Sequence, residues 1–543
     1  MRRAFVLTLA AVVALGVFFR VYHAGYKLYN PDEANTSLRL SGHTNRQLSA
    51  FLNDGALHAA RELDLYAVPT AQTSPADIWR SLATEDPQHP PLFFLITYAS
   101  ERVTGDSVFF RRLPALVFGL SALWAAWWFG RELFGDPTPA WILTALVAVS
   151  PFHVAFSQEA REYSLFLLAI CLSSALLLFA LRTGARRAFV LYALCVSAAL
   201  WSFTLFVLVA AAHALYLVAP VSEASARRRI AAGAALLAGC ATIIPWLANL
   251  FAKADVAVAD TAWQATALSA PLYAGKWLFN LGSVFFDLDY VSLAWLPVTL
   301  AALAVAFAAC FVFFRRTGPR VWLLPVALGA IPLVATTVPD LLHHETRALQ
   351  GRYLTALWLA VEIAAAGGFW LALKSARGAR AAAWQAGLGF LFVCGVGSCA
   401  VSSQARTWWV TGFQSVRSLP AIIDALREVE APTLVYIEDA DDMLMLQPYG
   451  LSSLRFKLHP ALDEAALRSE PNPYAILSSE HLSESPVATA LRRVPVVETF
   501  EMRPDPAIDR LRRSGAAARK IDYGGRLDLG LYAPAEAATR PSP

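Results

Sequence analysis

The feature that most constrains this chain is a series of eleven apolar runs, most of them roughly 18–22 residues long. A hydrocarbon layer about 30 Å thick is crossed by about 20 helical residues. In lipid every backbone amide must be satisfied within its own segment, so such runs fold as helices. The first run follows Met1-Arg2-Arg3 and reaches Phe19. It lacks a small-x-small cleavage site before Arg20, since Val17-Phe18-Phe19 is bulky, and reads as an uncleaved membrane helix. The others fall at about 113–131, 139–156, 162–181, 187–201, 203–220, 230–250, 291–314, 321–338, 353–373 and 383–402.

Composition agrees and adds a boundary. The chain is 57% hydrophobic and only 16% charged, but the charge is uneven. Residues 403–543 hold 16 Lys/Arg and 19 Asp/Glu, about the share of an ordinary soluble domain. The expected fold class is an all-α polytopic membrane protein of about eleven transmembrane helices, residues 1–402, followed by a soluble α/β domain, residues 403–543. A single soluble enzyme, a disordered chain and a disulfide scaffold are excluded. The six cysteines all lie in apolar runs and read as small buried hydrophobes.

Loop charges give an orientation. With the N-terminus in the cytoplasm, the inside loops and Arg2-Arg3 carry 15 positive charges. The short outside loops carry five: Arg161, Lys253, Lys276, Arg347 and Arg352. This is the positive-inside pattern, and it accounts for the net charge of +4 without nucleic acid. Eleven spans place the tail outside. Two outside segments are long. Residues 20–112 include an amphipathic piece at 92–103 suited to the membrane surface. Residues 251–290 carry Trp263, Tyr273, Trp277, Phe285, Phe286 and Tyr290, suited to the interface. In the tail, 419–429 and 487–493 read as helices. Residues 433–437, 453–458, 473–478, 494–500 and 527–532 read as strands.

Four outside segments concentrate polar groups. Pro31-Asp32-Glu33 pairs two carboxylates, suited to a general base with a supporting group, or simply to a helix N-terminus. Glu85-Asp86-Pro87-Gln88-His89-Pro90-Pro91-Leu92 fixes Glu85 and His89 on a stiff backbone at a helix start. The stretch from Ser150 to Tyr163 places Gln158, Glu159, Arg161, Glu162 and Tyr163 at membrane depth, where polar groups are costly unless paired or functional. Arg161 there suits a lipid phosphate or a pair with a neighbouring glutamate. The segment from His343 to Tyr353 offers Arg347 and Arg352 to the same phosphate, or to solvent. Arg111 and Arg112 begin a membrane helix and are further phosphate candidates, with snorkelling as the plain alternative. Glu362 and His213 lie inside apolar runs and read as packing groups. No phosphate-cradling glycine loop, nucleophile elbow or zinc spacing occurs.

Together these segments resemble the GT-C glycosyltransferases of the protein O-mannosyltransferase and lipid A aminoarabinose transferase superfamily. The matching stretches are Pro31-Asp32-Glu33, His89-Pro90-Pro91-Leu92, Phe110 to Gly119, Gly130 to Gly135, Ser150 to Arg161, and Gly351-Arg352-Tyr353-Leu354, in the family's order. Here Arg161 is followed by Glu162, and His-Pro-Pro by Leu-Phe-Phe, where some members differ. The resemblance implies an inverting transferase in a bacterial inner membrane, taking a sugar from a polyprenyl phosphate to a hydroxyl of a lipid, glycan or protein. It implies Asp32 as base and Glu33 as its support or as an acceptor-binding group. Arg161, Arg352, Arg347, Arg111 and Arg112 would bind the donor phosphate. Glu85, His89, Gln158, Glu159 and Tyr163 would line the pocket. No cofactor is specified; a divalent metal is left open, with no metal ligand assigned. The competing readings are a polytopic lipid or solute transporter and a non-catalytic scaffold. Related halves, which a transporter would show, are not evident.

Overall fold

The computed structural model of the chain describes residues 3–407 except 55, 222, 266–267 and 289–292. Beyond 407 it describes 420, 423, 433–436, 443–449, 455–458, 474–478, 496–501, 519–522 and 528–532. Packing divides the chain into two compact units. One comprises Met1–Gly25, Leu82–Gly105 and Phe109–Ala405; the other comprises Tyr26–Ser81, Asp106–Val108 and Arg406–Pro543.

In the first unit all eleven apolar runs are helical. Among the described residues seven helices are long and apolar enough to span alone: Arg3–Val21, Val108–Phe134, Tyr163–Thr183, Leu296–Arg316, Pro319–His343, Gly351–Ser375 and Gly378–Ser402. Two more runs are bent pairs. Pro137–Val149 turns by 63° into Pro151–Ser157, and Ala226–Ala241 by 46° into Ile244–Ala252. Each break has a proline at the start of its second helix, Pro151 and Pro245. Proline tolerates that position but denies the preceding turn a donor and disfavours the α region before it. Ser150 accordingly leaves the helical region, at φ −64°, ψ 118°. The remaining runs form Arg186–Ser202 and Phe206–Val218, of 17 and 13 residues.

Glycine sets the closest helix contacts. A Cβ at Gly368 would fall on the Ala309 carbonyl, and one at Gly16 on the Ala148 carbonyl. Small residues let membrane helices approach where no hydrophobic force drives them together. Arg20 sits at this second contact. It donates to Gly16 O (3.0 Å), Ala148 O (2.5 Å) and Val147 O (2.9 Å). A guanidinium thus caps the orphan carbonyls where Pro137–Val149 ends.

The second unit contains the helices Pro31–Leu40, Asn45–Leu52 and Asp64–Ala67, and a seven-stranded mixed sheet. The strands are β1 (His58–Ala59), β2 (Thr433–Tyr436), β3 (Arg455–Leu458), β4 (Tyr474–Ser478), β5 (Val496–Glu501), β6 (Arg519–Asp522) and β7 (Asp528–Tyr532), in the order β1-β3-β2-β4-β7-β5-β6. β2 runs parallel to β3 and β4, and β7 antiparallel to β4. The five strand-like stretches of the tail are strands. β6 is an addition, and β1 comes from the first outside segment, pairing antiparallel with β3. Residues 26–81 therefore cluster with the tail rather than with the helices that flank them in sequence. The helices expected at 419–429 and 487–493 lie outside the described residues, apart from Pro420 and Ile423, and so does Tyr290.

Candidate active site

The membrane unit gathers a polar cluster from three separate segments. The first is the turn between Pro75–Glu85 and the helix Leu92–Thr104. Trp246 Nε1 donates to Pro87 O (2.9 Å), Asn249 Nδ2 to Ala83 O (3.0 Å) and Thr204 Oγ1 to Gln88 O (3.1 Å). Three bonds from later helices thus hold a backbone already stiffened by proline. At its tip, His89 Nδ1 lies 2.5 Å from Asp86 Oδ1, and His89 Nε2 lies 2.9 Å from Arg161 Nη2. Burial and the Arg161 charge work against protonation of His89, but Asp86 and Glu162 outweigh them and raise its pKa. The contact with Arg161 decides the proton's place in this arrangement. Arginine only donates, so Nε2 accepts and the single proton sits on Nδ1, facing Asp86.

The second segment runs from the bend at Ser150 to Tyr163. Arg161 and Glu162 are both buried, with Arg161 Nε 3.4 Å from Glu162 Oε2. Tyr163 opens the next membrane helix. The third segment is the turn Gly351–Leu354, held by Trp358 Nε1 on Gly351 O (2.8 Å). It carries Arg352, also buried. The Arg161 and Arg352 guanidinium carbons lie 5.9 and 5.7 Å from the Tyr163 ring centroid. Two cations therefore share one aromatic ring. Burying guanidinium groups is costly, and two at one ring suit a doubly coordinated oxyanion such as a phosphate.

The other expected residues are placed as follows. Gln158 is a brace: its Nε2 donates to the carbonyls of Phe19, Arg20 and Tyr22, within 2.8–3.1 Å, closing the end of the first helix. Glu159 is buried, and its carbonyl accepts from the Arg161 N–H. Arg111 and Arg112 are buried rather than snorkelling, and Arg112 Nη1 donates to Ala24 O (2.9 Å). Arg347 instead turns to Glu345, 2.6 Å away, and is 44% exposed. Glu85 ends its helix half-buried. Asp32 and Glu33 belong to the second unit, at the start of Pro31–Leu40. Asn30 Oδ1 accepts from the Glu33 N–H (2.8 Å), while Glu33 Oε2 accepts from the Asn30 N–H (3.2 Å). This capping box occupies Glu33 and fixes the backbone that presents Asp32.

Sequence reasoning passed over four groups. Asp86 and His153 stood unremarked inside quoted segments. Arg20 read only as a helix boundary. Asp340, in the last turn of Pro319–His343, accepts from the N–H groups of Arg347 (2.8 Å) and Ala348 (2.9 Å) and from Tyr273 Oη (2.8 Å). A carboxylate two residues past the apolar run 321–338 was the available signal. Among the described residues no three His, Cys, Asp or Glu side chains form a metal-binding group.

Residues 88–248 match the family described as dolichyl-phosphate-mannose-protein mannosyltransferase. That stretch includes His89, Arg111, Arg112 and the whole segment from Ser150 to Tyr163. No curated protein shows significant sequence similarity. Among solved structures, apo ArnT from Cupriavidus metallidurans is similar with a TM-score of 0.53 at 12% identity, over 97% of this chain and 98% of that one. The same protein bound to undecaprenyl phosphate gives 0.49 at 11%, over 98% of each. The Archaeoglobus fulgidus oligosaccharyltransferase with a tethered acceptor peptide gives 0.46 at 13%, over 84% of this chain and 64% of that one. The resemblance drawn from the motifs is borne out, in fold over nearly the whole chain and in sequence over 88–248.

Proposed function

We propose that this chain is an integral membrane glycosyltransferase that moves a sugar from a polyprenyl-phosphate donor to a hydroxyl of a lipid, glycan or protein. The observation that carries this is the coincidence of the family match with the Arg161–Tyr163 cluster, which Arg352 completes. The donor is a phosphodiester with one negative charge. As the bond from the sugar C1 to the phosphate oxygen breaks, the phosphate becomes a monoester and gains charge. Two preformed guanidinium groups in a medium of low dielectric stabilise that gain without reorganisation. His89 and Glu162 hold Arg161; Tyr163 spaces the two cations.

The acceptor oxygen attacks C1 from the face opposite the phosphate, which inverts the carbon, and its proton needs a base. Asp32 is that base in this reading, and Glu33 orients it through the capping box. The positive end of the helix Pro31–Leu40 favours a carboxylate there. Arg111 and Arg112 are secondary phosphate ligands. In this reading the membrane is a bacterial inner membrane, and the positive-inside pattern supports a cytoplasmic N-terminus and a periplasmic C-terminal domain, so that transfer occurs at the outer face.

The test uses purified wild type and Asp32→Asn with radiolabelled polyprenyl-phosphate sugars and host membrane lipid. Transfer, or release of polyprenyl phosphate, by wild type alone supports both the enzyme and its base. Equal transfer by both keeps the enzyme and removes Asp32 as base. A wild type that neither turns over nor binds any donor shifts the reading to a transporter or scaffold.

A further inference from the structure

Deeper in the membrane unit a second polar contact joins the same two segments that carry the arginines. His153 Nε2 donates to Glu362 Oε2 at 2.9 Å, with both side chains almost fully buried. His153 lies on Pro151–Ser157, eight residues before Arg161. Glu362 lies on Thr355–Ser375, ten residues after Arg352. Glu362 Oε1 has no hydrogen-bond partner among the described residues. An ionisable pair inside a membrane domain is costly and invites a role. Here its location supplies one. The stretches 153–163 and 352–362 are joined at both ends, by His153 with Glu362 at one and by Tyr163 with both arginines at the other.

We infer that the His153–Glu362 bond is a positioning contact that sets the separation of Arg161 and Arg352, and so the affinity for the donor phosphate. The helix ends around it are tied by hydrogen bonds. Arg20 fixes the carbonyls just before the bend, and Gln158 ties the end of Pro151–Ser157 to the first helix. Between the two segments Phe152 and Trp358 also meet edge to face, with ring centroids 6.4 Å apart, but that contact has no hydrogen-bond direction, whereas the His153–Glu362 bond does. An apolar pair of similar size would pack as well but would not fix the separation by direction. The inference rests on the transferase reading and names two positioning residues for it.

The experiment measures equilibrium binding of undecaprenyl phosphate to the purified full-length protein in detergent, with thermal unfolding followed in parallel. Glu362→Leu removes the bond and keeps the volume, and is expected to weaken binding about tenfold. Glu362→Gln keeps a hydrogen-bonding partner for His153 and is expected to bind within about threefold of wild type. That rescue separates positioning from bulk packing, since leucine fills the space better than glutamine suits a membrane core. If Glu362→Leu does not purify as a monodisperse species, His153→Phe reads the same bond from the other side. Wild-type affinity in whichever of these two variants folds, or equal weakening in Glu362→Gln, overturns the inference and leaves the transferase reading standing. A wild type that binds no polyprenyl phosphate overturns both.

Discussion

Arg161, Arg352 and Arg347 were all phosphate candidates in the sequence, with the first two foremost, and their surroundings separate them. Arg161 and Arg352 are buried beside one ring, while Arg347 is partly exposed and paired with Glu345. Replacing Arg352 by alanine should lower donor kcat/KM by about 10²–10³, the range seen when one preformed oxyanion donor is removed. Lysine should restore only part of it, because a point charge lacks the planar fork that meets two phosphate oxygens. Arg347→Ala should change kcat/KM by less than about threefold, since an exposed ion pair contributes little. Steady-state kinetics with a fixed donor check all three; equal losses at 347 and 352 would remove the distinction. The cost of a charge at membrane depth made Arg161 legible in the sequence. Burial of Asp86 and the pairing of His153 with Glu362 were not, because each depends on a partner 3 to 209 residues away.

Elements were legible where one force dominated. Every apolar run became a helix because lipid leaves the backbone no alternative. The two bends were not read: 139–156 and 230–250 passed as single runs, although Pro151 and Pro245 stood inside them. β6, with the sequence Arg519-Lys520-Ile521-Asp522, shows no alternation to betray it, and β1 is two residues fixed by a distant strand. Two predictions belong at this scale. Gly368→Val should push Leu296–Arg316 away from Thr355–Ser375, because its side chain would overlap the Ala309 backbone; overpacking of this kind costs about 1–3 kcal/mol. A lower unfolding temperature in detergent than for Gly367→Ala would register the backbone clash, since the atoms nearest a Cβ at Gly367 belong to phenylalanine rings. The second concerns β1. His58 Nε2 lies 2.9 Å from Asp54 Oδ1 and Nδ1 lies 3.1 Å from Glu62 Oε2. Burial alone would lower the pKa of His58, but these two carboxylates outweigh it and raise it. A raised histidine pKa stabilises the fold fully below the ordinary value near about 6.5, and the effect is lost as pH rises through the raised one. Amide exchange at 54–62, corrected for intrinsic rate, should therefore show wild type better protected than His58→Gln at about pH 6, with the gap closing towards about pH 8.5. A gap that widens with pH would contradict this sign.

For the whole molecule, the sequence separated membrane from soluble composition and missed how residues 26–81 join the tail, since strand pairing across some 400 residues leaves no local trace. It also counted every apolar run as a full crossing, and that count decides on which side the tail lies. Phe206–Val218 is about 20 Å long and Arg186–Ser202 about 25 Å, both short of a 30 Å layer. These two are consecutive, so if neither crosses, the count falls by two and the side of the tail is unchanged. A bent pair that dips and returns would instead remove one crossing and move the tail inside. Fifteen positive charges against five support an odd count. In a bacterial host, alkaline phosphatase fused after residue 543 should be active and a green fluorescent protein fused there dark. A fusion after residue 225, in the arginine-rich segment before Ala226–Ala241, should behave in the opposite way. Inactive phosphatase at both points would mean that one of the five crossings after residue 225, most readily the one bent by 46°, does not cross. The periplasmic placement of the tail would then fall, while the chemistry proposed at Arg161 and Arg352, which depends only on the membrane unit, would keep its own tests.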